Sequence, residues 1–512
     1  MPSPAPRQER TRAHVHALVA AIVLVGSLGA CTDEGGPPDR GSAPTASTAA
    51  TGTTTTTTEA PATTTTVALP PPVPMDWQPC GGGFECARTA VPVDYRDPGG
   101  PTLELALVKR PAASPGERIG TLLVNPGGPG ASGVRRVRRG FTVSPEVAAR
   151  FDVVGFDPRG IGDSAPVSCG SSVGAFRQAD LDPDTPEEAA ALDAAARSVA
   201  EECAASEGDR LAHLGTVEVA HDVEVIRRNL GEDQVSFVGL SYGSLIGLLW
   251  ADAHPGSVRA MVLDGVVDPA ATGAATALDQ IEVIDRAFAA MDDACATDPA
   301  CPLSADGRRL GEAYDELAAR IEAGTGREAG VGPTQLAYAA FSATYGEERW
   351  PLLWDAVHAG LGGDLTGVAE LAGWFTGLVS YVPFALVTCL DAPHPRGFEA
   401  WQRDAARARA TSPRFGATAA NELLPCAHWP PSSRQPAPVA AVGAAPILVV
   451  GTTGDVATPF RQAEAVAAAL RSGVLLRVEA EGHVAIGSDP CVDDAVTRYL
   501  VDLVAPSPPA TC

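Results

Sequence analysis

The stretch "VSFVGLSYGSLIGLLWADAHP" (Val235–Pro255) joins an apolar run to a helical run through the pentapeptide Gly-Leu-Ser-Tyr-Gly. The pattern G-x-S-x-G is common by chance, but between a buried strand and a helix it forms a nucleophile elbow. Such an elbow is a strained turn that lifts the serine oxygen into a site, and Gly239 and Gly243 leave room for the strand and helix to cross closely. We therefore predict that Ser241 is a catalytic nucleophile rather than an incidental serine in a glycine-rich turn.

A serine hydroxyl needs a base that takes its proton and an acid that orients the base. After an elbow of this kind, the acid and then the histidine follow along the chain. His483 is the histidine that follows the last predicted strand, in "VEAEGHVAIG". Asp455 lies between a buried strand and a helix, and Asp264, after the strand "AMVLDG", is the alternative acid. The predicted triad is Ser241, Asp455 and His483.

A glycine-rich loop, "NPGGPG" (Asn125–Gly130), follows an early apolar run, and residues 128–133 match the dinucleotide fingerprint G-x-G-x-x-G. Its two prolines have no N–H to offer a phosphate, and a strand-like run already precedes the loop. We interpret the loop instead as part of an oxyanion hole, which needs two backbone N–H donors. The predicted donors are Tyr242 and Gly128, with Gly127 as second choice. No cofactor is expected.

Apolar, β-branched runs alternate with helical patterns in the folded part, which favours a mostly parallel sheet buried on both faces. One long helical stretch interrupts them between Asp264 and Pro446, so the predicted fold class is α/β with a large, mainly helical insertion. We expect one helix to end at Gly231, and another to have Thr458 as its N-cap. A last helix is expected over Val492–Leu503. The candidate strands are Thr102–Lys109, Gly120–Asn125, Phe151–Asp157, Val235–Gly239, Ala260–Asp264, Pro446–Gly451 and Val474–Glu479.

The N-terminus has the pattern of a bacterial lipoprotein signal peptide. Three arginines precede a short apolar run (Ala17–Gly26) and the sequence Leu-Gly-Ala-Cys that ends at Cys31. We predict that Cys31 is lipidated; ordinary signal cleavage nearby is the alternative. The expected organisation is a signal peptide (1–30), a lipid-anchored, Thr/Pro-rich disordered linker (31–74), a first core part (75–267), an inserted helical cap (268–440) and a C-terminal core part (441–512).

Composition narrows the classes of partner. The formal net charge of −25 argues against nucleic acid as a partner, and membrane contact is expected only through the lipid. Apart from Cys31, ten cysteines remain, and an even number in an exported chain implies disulfides. Their spacing does not fit zinc ligands, so no metal is expected. Pairing sequence neighbours predicts the bridges Cys80–Cys86, Cys169–Cys203, Cys295–Cys301, Cys389–Cys426 and Cys491–Cys512.

Several motifs in order resemble one family. The motifs are "NPGGPG", "FDVVGFDPRGIGDSAPVSC", "GLSYGS", "VLDGVVDP", "CAHWP", "PILVVGTTGDVATP" and "EGH". Over residues 76–512 the chain resembles the secreted tripeptidyl-aminopeptidase-like serine hydrolases of the α/β-hydrolase superfamily, relatives of the prolyl aminopeptidases. The resemblance implies an α/β-hydrolase core with a helical cap, the same triad, and release of short peptides from free N-termini. The loop "GTTGDVATP" departs from the family, whose members tend to have an acidic residue or Asn before the Asp and a proline after it.

Three functions are compatible with these residues. The first is an exported or surface-anchored exopeptidase that acts through an acyl-enzyme on peptides with a free N-terminus. The second is a carboxylesterase or lipase that uses the same triad on acyl esters. The third, a lipoprotein that binds without turnover, is disfavoured by a complete triad. An aminopeptidase needs a carboxylate for the substrate's ammonium, and Glu347, Glu348 and Asp391 are the candidates.

Overall fold

The computed structural model describes residues 67–512 except Thr142, Thr272, Pro431 and Ser433. The predicted signal peptide, Cys31 and most of the linker lie outside the described residues. The last part of the predicted linker is not detached from the fold. Val67 and Leu69 pack against the core, and the backbone N–H of Val73 donates to the Asn229 side chain at 2.8 Å. Residues 67–73 of the predicted linker therefore contact the folded part of the chain.

In the described part of the chain, ten strands form one sheet in the order β1-β2-β3-β5-β4-β6-β7-β8-β9-β10. The first three strands and β5 pair antiparallel, and the pairs from β5 to β10 are parallel. The strands are β1 (Gln78–Pro79), β2 (Glu85–Pro92), β3 (Thr102–Arg110), β4 (Gly120–Asn125), β5 (Phe151–Phe156), β6 (Val235–Leu240), β7 (Val258–Asp264), β8 (Ile447–Gly454), β9 (Gly473–Glu481) and β10 (Ala510–Thr511).

The described residues also form seventeen α-helices. They are α1 (Gly133–Arg138), α2 (Pro145–Arg150), α3 (Ser172–Gln178), α4 (Pro186–Glu207), α5 (Thr216–Leu230), α6 (Gly243–Ala253), α7 (Gly273–Thr297), α8 (Pro302–Ala305), α9 (Leu310–Glu322), α10 (Pro333–Ala343), α11 (Trp350–Leu361), α12 (Thr366–Gly377), α13 (Tyr381–Asp391), α14 (Phe398–Thr411), α15 (Gly416–Asn421), α16 (Phe460–Ala469) and α17 (Pro490–Asp502). No single one is long and apolar enough to cross a membrane within the described ranges, whereas α12 and α13 reach that length and composition together, with a 52° bend between them.

The central strands are buried on both faces. Every residue of β4 and of β6 is buried, and successive side chains point to opposite faces of the sheet. Val238 and Val262 belong to one apolar cluster, and their neighbours Phe237 and Met261 belong to the other. Strands with continuous apolar runs therefore form the mostly parallel sheet that the sequence predicts, and the α/β fold class is confirmed.

The predicted helical interruption lies between β7 and β8. This part of the chain carries α7 to α15 and, within its described residues, no strand. Its apolar side chains share one cluster with the sheet: Leu336 and Leu386 belong to the same core as Phe237 and Leu245. The inserted helices thus lie over one face of the sheet.

Five disulfides join the cysteines that the neighbour pairing predicts. The bridge Cys389–Cys426 ties α13 to the short 3₁₀ helix Leu424–His428, and Cys491–Cys512 ties the end of the chain to α17.

Two of the three predicted helix ends need adjustment. Gly231 follows α5 in the left-handed conformation (φ 74°), as predicted. Thr458 does not cap α16, because Pro459 precedes that helix and the Thr458 hydroxyl bonds to Asp455 instead. The last helix, α17, starts before Val492, and Asp489 caps it by accepting from two backbone N–H groups.

Candidate active site

The predicted elbow places Ser241 between β6 and α6 with a positive φ of 54°. This left-handed conformation is strained for a residue with a side chain. The N–H of Ser241 donates to the Asp264 backbone carbonyl at 2.8 Å, and its own carbonyl accepts from Ser244 N–H at 2.8 Å. A Cβ on Gly239 would lie 2.4 Å from the Gly243 oxygen, and a Cβ on Gly243 would lie 2.6 Å from the Asn125 oxygen. Both flanking positions therefore require glycine. The neighbouring strand and helix therefore hold the strained turn in place.

Ser241 lines a cavity of about 620 Å³ that is walled by loops of the sheet and by the inserted helices. Tyr242, His483 and Gly128 line the same cavity. The cavity has the size of a site for a small ligand, and its walls are mainly apolar with a few charged side chains. The predicted nucleophile, the predicted base and the glycine-rich loop thus line one cavity.

Asp455 and His483 form a close pair. His483 Nδ1 lies 2.9 Å from each of the two Asp455 carboxylate oxygens. Asp455 is fully buried, and its Oδ1 also accepts from the backbone N–H groups of Ala457 (2.9 Å) and Thr458 (2.8 Å). Burial of His483 opposes its protonation, but the charge and hydrogen bond of Asp455 outweigh burial and raise the histidine's pKa. The pair can therefore fix the imidazole tautomer and stabilise an imidazolium.

Two further side chains hold the imidazole. The Thr458 hydroxyl donates to Asp455 Oδ2 at 2.8 Å and lies 3.4 Å from His483 Nδ1. The ring of Tyr345 contacts the imidazole edge-on, with 5.9 Å between the ring centroids. The sequence predicts Thr458 as a helix cap, whereas the structure uses the spacing Asp-x-x-Thr to bring its hydroxyl to the acid. Tyr345 gave no signal in the sequence, because it comes from the inserted helices.

The alternative acid, Asp264, has another task. Its Oδ2 accepts from the backbone N–H groups of Ala485 (2.9 Å) and Ile486 (2.8 Å), in the loop that carries His483. It is fully buried, and burial raises its pKa to about 7. Between His483 and Ala485, Val484 has a positive φ of 63°, which is strained for a β-branched residue. Asp264 therefore supports the histidine loop, while Asp455 contacts the imidazole.

The glycine-rich loop lies directly against the elbow. Gly127 has φ 88°, and a Cβ there would lie 3.0 Å from Tyr242 N and 2.3 Å from the Leu240 oxygen. The Gly127 N–H donates to Asn125 Oδ1 at 2.9 Å, so this donor is already used. Gly128 lines the cavity at φ 109°. In the described part of the chain, the N–H groups of Gly128 and Tyr242 have no protein acceptor, which favours Gly128 over Gly127.

The candidate amine-binding acids fare differently. Asp391 lines the cavity, but its carboxylate accepts from the backbone N–H of Thr216 (2.8 Å) and from the Thr216 hydroxyl. That hydroxyl is also hydrogen-bonded to the Tyr242 hydroxyl. Glu347 and Glu348 are not among the residues that line the cavity. Of the three predicted acids, the structure therefore brings only Asp391 to the site, and its oxygens are occupied.

Sequence reasoning missed Glu422. This residue follows α15 and lines the cavity; burial raises its pKa to about 7, and the positive charge of Arg177 opposes the rise only in part. Within the described residues, no protein group donates a hydrogen bond to its carboxylate. Burial and the charges of Asp455 and Glu422 raise the pKa of Tyr345, so this phenol lies near both the triad and Glu422. The cavity is thus lined by Ser241 and His483 of the predicted triad and by Glu422, whose carboxylate has no hydrogen-bond donor among the described residues.

The fold, the elbow and the histidine–aspartate pair define the class: a serine hydrolase of α/β-hydrolase architecture. The chain belongs to the TAP-like family of these enzymes, and a family model described as "TAP-like protein" matches residues 412–512. The family and the hydrolase assignment predicted from the sequence are confirmed.

Three relatives extend the similarity over most of the chain. "Serine protease Hip1" of Mycobacterium tuberculosis is 34% identical over 474 residues, which cover 86% of this chain and 91% of that protein. "Carboxylesterase B" of the same organism is 33% identical, covering 83% of this chain and 86% of that one. "Tripeptidyl aminopeptidase" of Streptomyces lividans is 31% identical, covering 83% and 84%. Their names include both a peptidase and an esterase, so the family alone does not choose between the two substrates.

Proposed function

We propose that the protein is an exopeptidase that releases short peptides, tripeptides among them, from free N-termini. Among the relatives, the names serine protease and tripeptidyl aminopeptidase support a peptide substrate. The observation that carries the proposal is Glu422, a half-buried residue in the same cavity as Ser241 whose carboxylate has no protein donor among the described residues. A carboxylesterase, for which one relative is named, has no need of such a group.

The chemistry assigned to the site is acyl transfer through the serine. Ser241 Oγ attacks the substrate carbonyl and passes its proton to His483, whose imidazolium Asp455 stabilises. The N–H groups of Tyr242 and Gly128 receive the oxyanion. His483 then protonates the leaving amine, and a water molecule, deprotonated by the same histidine, hydrolyses the acyl-enzyme.

Glu422 is proposed to bind the substrate's ammonium group. An α-amino group has a pKa near 8, so the substrate's N-terminus is charged at neutral pH. Binding in the cavity removes water from this ammonium group, and a carboxylate in the cavity must compensate for the lost hydration. Burial raises the pKa of Glu422 and Arg177 opposes this rise only in part, so a bound ammonium would stabilise the charged carboxylate further. Three extended residues span roughly 10 Å, and release of a tripeptide requires about this separation between the ammonium site and Ser241.

Kinetics on matched substrates test this function. Wild type, Glu422→Gln and the control Glu348→Gln, whose carboxylate lies outside the cavity, are assayed on a tripeptidyl anilide, its N-acetyl derivative and a simple acyl ester. We expect acetylation to lower wild-type kcat/KM at least about tenfold, which is about 1.4 kcal/mol of transition-state binding. Glu422→Gln should lose a similar factor on the free peptide alone, and the control should behave like wild type. Equal rates on free and acetylated peptides would overturn the exopeptidase, and a preference for the ester would favour the esterase.

We also propose that the enzyme is exported and held at the outer face of the cell membrane by lipid on Cys31, or released from there. Five disulfides fit an oxidising compartment, and the net charge of −25 fits the absence of a nucleic acid partner. We further propose that residues 75–267 and 441–512 form the core and that residues 268–440 form the cap, because a long helical stretch separates the two sets of strands. Mass spectrometry of the mature N-terminus tests the anchor: a diacylated Cys31 supports it, and cleavage elsewhere contradicts it.

A further inference from the structure

A second unpaired charge lies in the same cavity. Arg177, near the end of α3, is half-buried and lines the cavity. Its guanidinium lies 5.4 Å from the ring centroid of Tyr381 and 5.8 Å from that of Tyr338. Its one described hydrogen bond is a long one, from Nη1 to the Thr376 carbonyl at 3.4 Å. Two aromatic rings therefore position an arginine most of whose N–H donors are free for a ligand.

Arg177 has no ion-pair partner within 4.0 Å in the described part of the chain. Another arginine that lines the cavity, Arg407, is paired with Asp404. A third, Arg136, is exposed and lies over the Phe141 ring. Arg177 is thus the half-buried cation of the cavity wall that the described residues leave without a carboxylate.

Arg177 and Glu422 are neighbours without being partners. The charge of Arg177 acts on Glu422, and both act on the same two tyrosines, Tyr338 and Tyr381. The Tyr381 hydroxyl donates to the Glu422 backbone carbonyl at 2.6 Å, so one ring fixes the Glu422 backbone and also flanks the guanidinium. Their side chains do not approach within ion-pair distance. This end of the cavity therefore presents an anion and a cation side by side.

We propose that Arg177 binds the side-chain carboxylate of the substrate's N-terminal residue, so that the enzyme prefers peptides that begin with Asp or Glu. The inference rests on the proposed function, in which Glu422 binds the ammonium of that same residue. An acidic N-terminal residue carries an ammonium and a carboxylate a few bonds apart, and the cavity wall offers the opposite charges. A guanidinium is suited to this because its parallel N–H groups match the two oxygens of a carboxylate.

The test compares N-terminal residues of similar shape. Wild-type kcat/KM is measured on Glu-Ala-Ala, Gln-Ala-Ala and Lys-Ala-Ala anilides, each free and N-acetylated. A hydrogen-bonded carboxylate is expected to favour Glu over Gln at least about tenfold. This arm needs no variant, so a folding defect cannot obscure it. Equal wild-type rates on Glu and Gln would overturn the inference.

Variants separate substrate binding from a structural role. Arg177→Met should remove the preference for Glu over Gln by lowering the rate on Glu-Ala-Ala more than the rate on Gln-Ala-Ala, and Arg177→Glu should favour Lys. The matched control is Arg403→Met, which replaces an exposed arginine on α14. It should keep the wild-type ratio of the rates on Glu-Ala-Ala and Gln-Ala-Ala. If Arg177→Met lowers all substrates by one factor, Arg177 is structural and the inference is wrong.

The acetylated arms distinguish this inference from the function on which it rests. If free and acetylated peptides react equally, the exopeptidase itself fails. If only free peptides react and Glu is not preferred, the exopeptidase stands and the role of Arg177 is refuted.

Discussion

Replacing Asp264 with alanine should release the loop that carries His483 while leaving the three triad side chains in the chain. The carboxylate accepts two backbone hydrogen bonds, from Ala485 at 2.9 Å and from Ile486 at 2.8 Å. Both bonds hold the segment that follows Val484, whose φ of 63° is strained. Without the Asp264 carboxylate as acceptor, these two hydrogen bonds no longer hold the loop in the conformation that places the imidazole beside Asp455.

The magnitude follows from these contacts. Above pH 7, where the Asp264 carboxylate is charged, each hydrogen bond to it contributes about 1.5–3 kcal/mol, so the two contribute about 3–6 kcal/mol. The variant also avoids the cost of burying the carboxyl group, which offsets part of this stabilisation. The loop therefore loses a net stabilisation of about 3 kcal/mol. The strain at Val484 is on the order of 1–3 kcal/mol, so the loop can relax once the bonds are gone. A shift of about 1 Å in the imidazole lowers the rate about 100-fold.

The assay is kcat and KM on a tripeptidyl anilide. Asp264→Ala should lose about 100-fold in kcat with little change in KM. Asp264→Asn should keep much of the activity, because its amide oxygen can still accept. Its acidic pH limb should also move to lower pH, because the Asp264 charge helps to raise the pKa of His483. Removing that charge lowers the pKa, so the imidazole stays neutral at lower pH.

A matched control is available on α6. Asp252 also accepts two backbone N–H bonds, from Ala440 (3.2 Å) and Ala441 (2.8 Å), but at the end of that helix away from Ser241. Asp252→Ala should lower stability without changing kcat. Full activity in folded Asp264→Ala, or an unmoved pH limb in Asp264→Asn, would refute the reasoning.

Three further results are expected. Ser241→Ala should fold normally and lose on the order of 10⁴–10⁶-fold in rate, and residual activity near wild type in the folded variant would exclude it as nucleophile. Thr458→Val should reduce kcat by removing the hydroxyl on Asp455, and a Ser variant should restore it; equal loss in both would point to packing. Burial raises the pKa of Asp264, Asp391 and Glu422 to about 7, so the folded state holds protons that the unfolded state releases. The free energy of unfolding should therefore fall as pH rises from about 4 to about 7, as urea titrations at several pH values would show, and Glu422→Gln should flatten this fall.

Local sequence patterns were enough to find the residues on the sheet. Ser241, Asp455 and His483 each follow an apolar strand, and parallel strands bring their carboxyl ends to one edge of the sheet. The neighbour pairing of the cysteines also holds, and it is local for Cys80–Cys86 and Cys295–Cys301, whose members lie 6 residues apart. The sequence favours Gly128 over Gly127 as the oxyanion-hole donor. The structure gives a physical reason for this choice, because the Gly127 N–H already donates to Asn125 Oδ1.

Two residues of the cavity wall, Arg177 on α3 and Glu422 from the inserted helices, were not predictable from the sequence. Arg177 and Glu422 lie far apart along the chain, and only the packing of helices against one another brings them to one wall. Glu347 and Glu348 have the same residue type and lie in the same insertion, yet they do not reach the cavity. The helical pattern of the sequence does not show which acidic side chain lines the cavity, because each acid is also compatible with an exposed helix surface.

Trapping the acyl-enzyme tests the central claim most directly. A tripeptidyl p-nitrophenyl ester with a free amine is mixed with the enzyme, the reaction is quenched in acid, and peptides are mapped by mass spectrometry. We predict a tripeptidyl group on Ser241, formed at least about tenfold faster than from the N-acetyl ester. Acylation of a different residue, or equal rates from the free and the acetylated ester, would contradict an aminopeptidase that acts through Ser241.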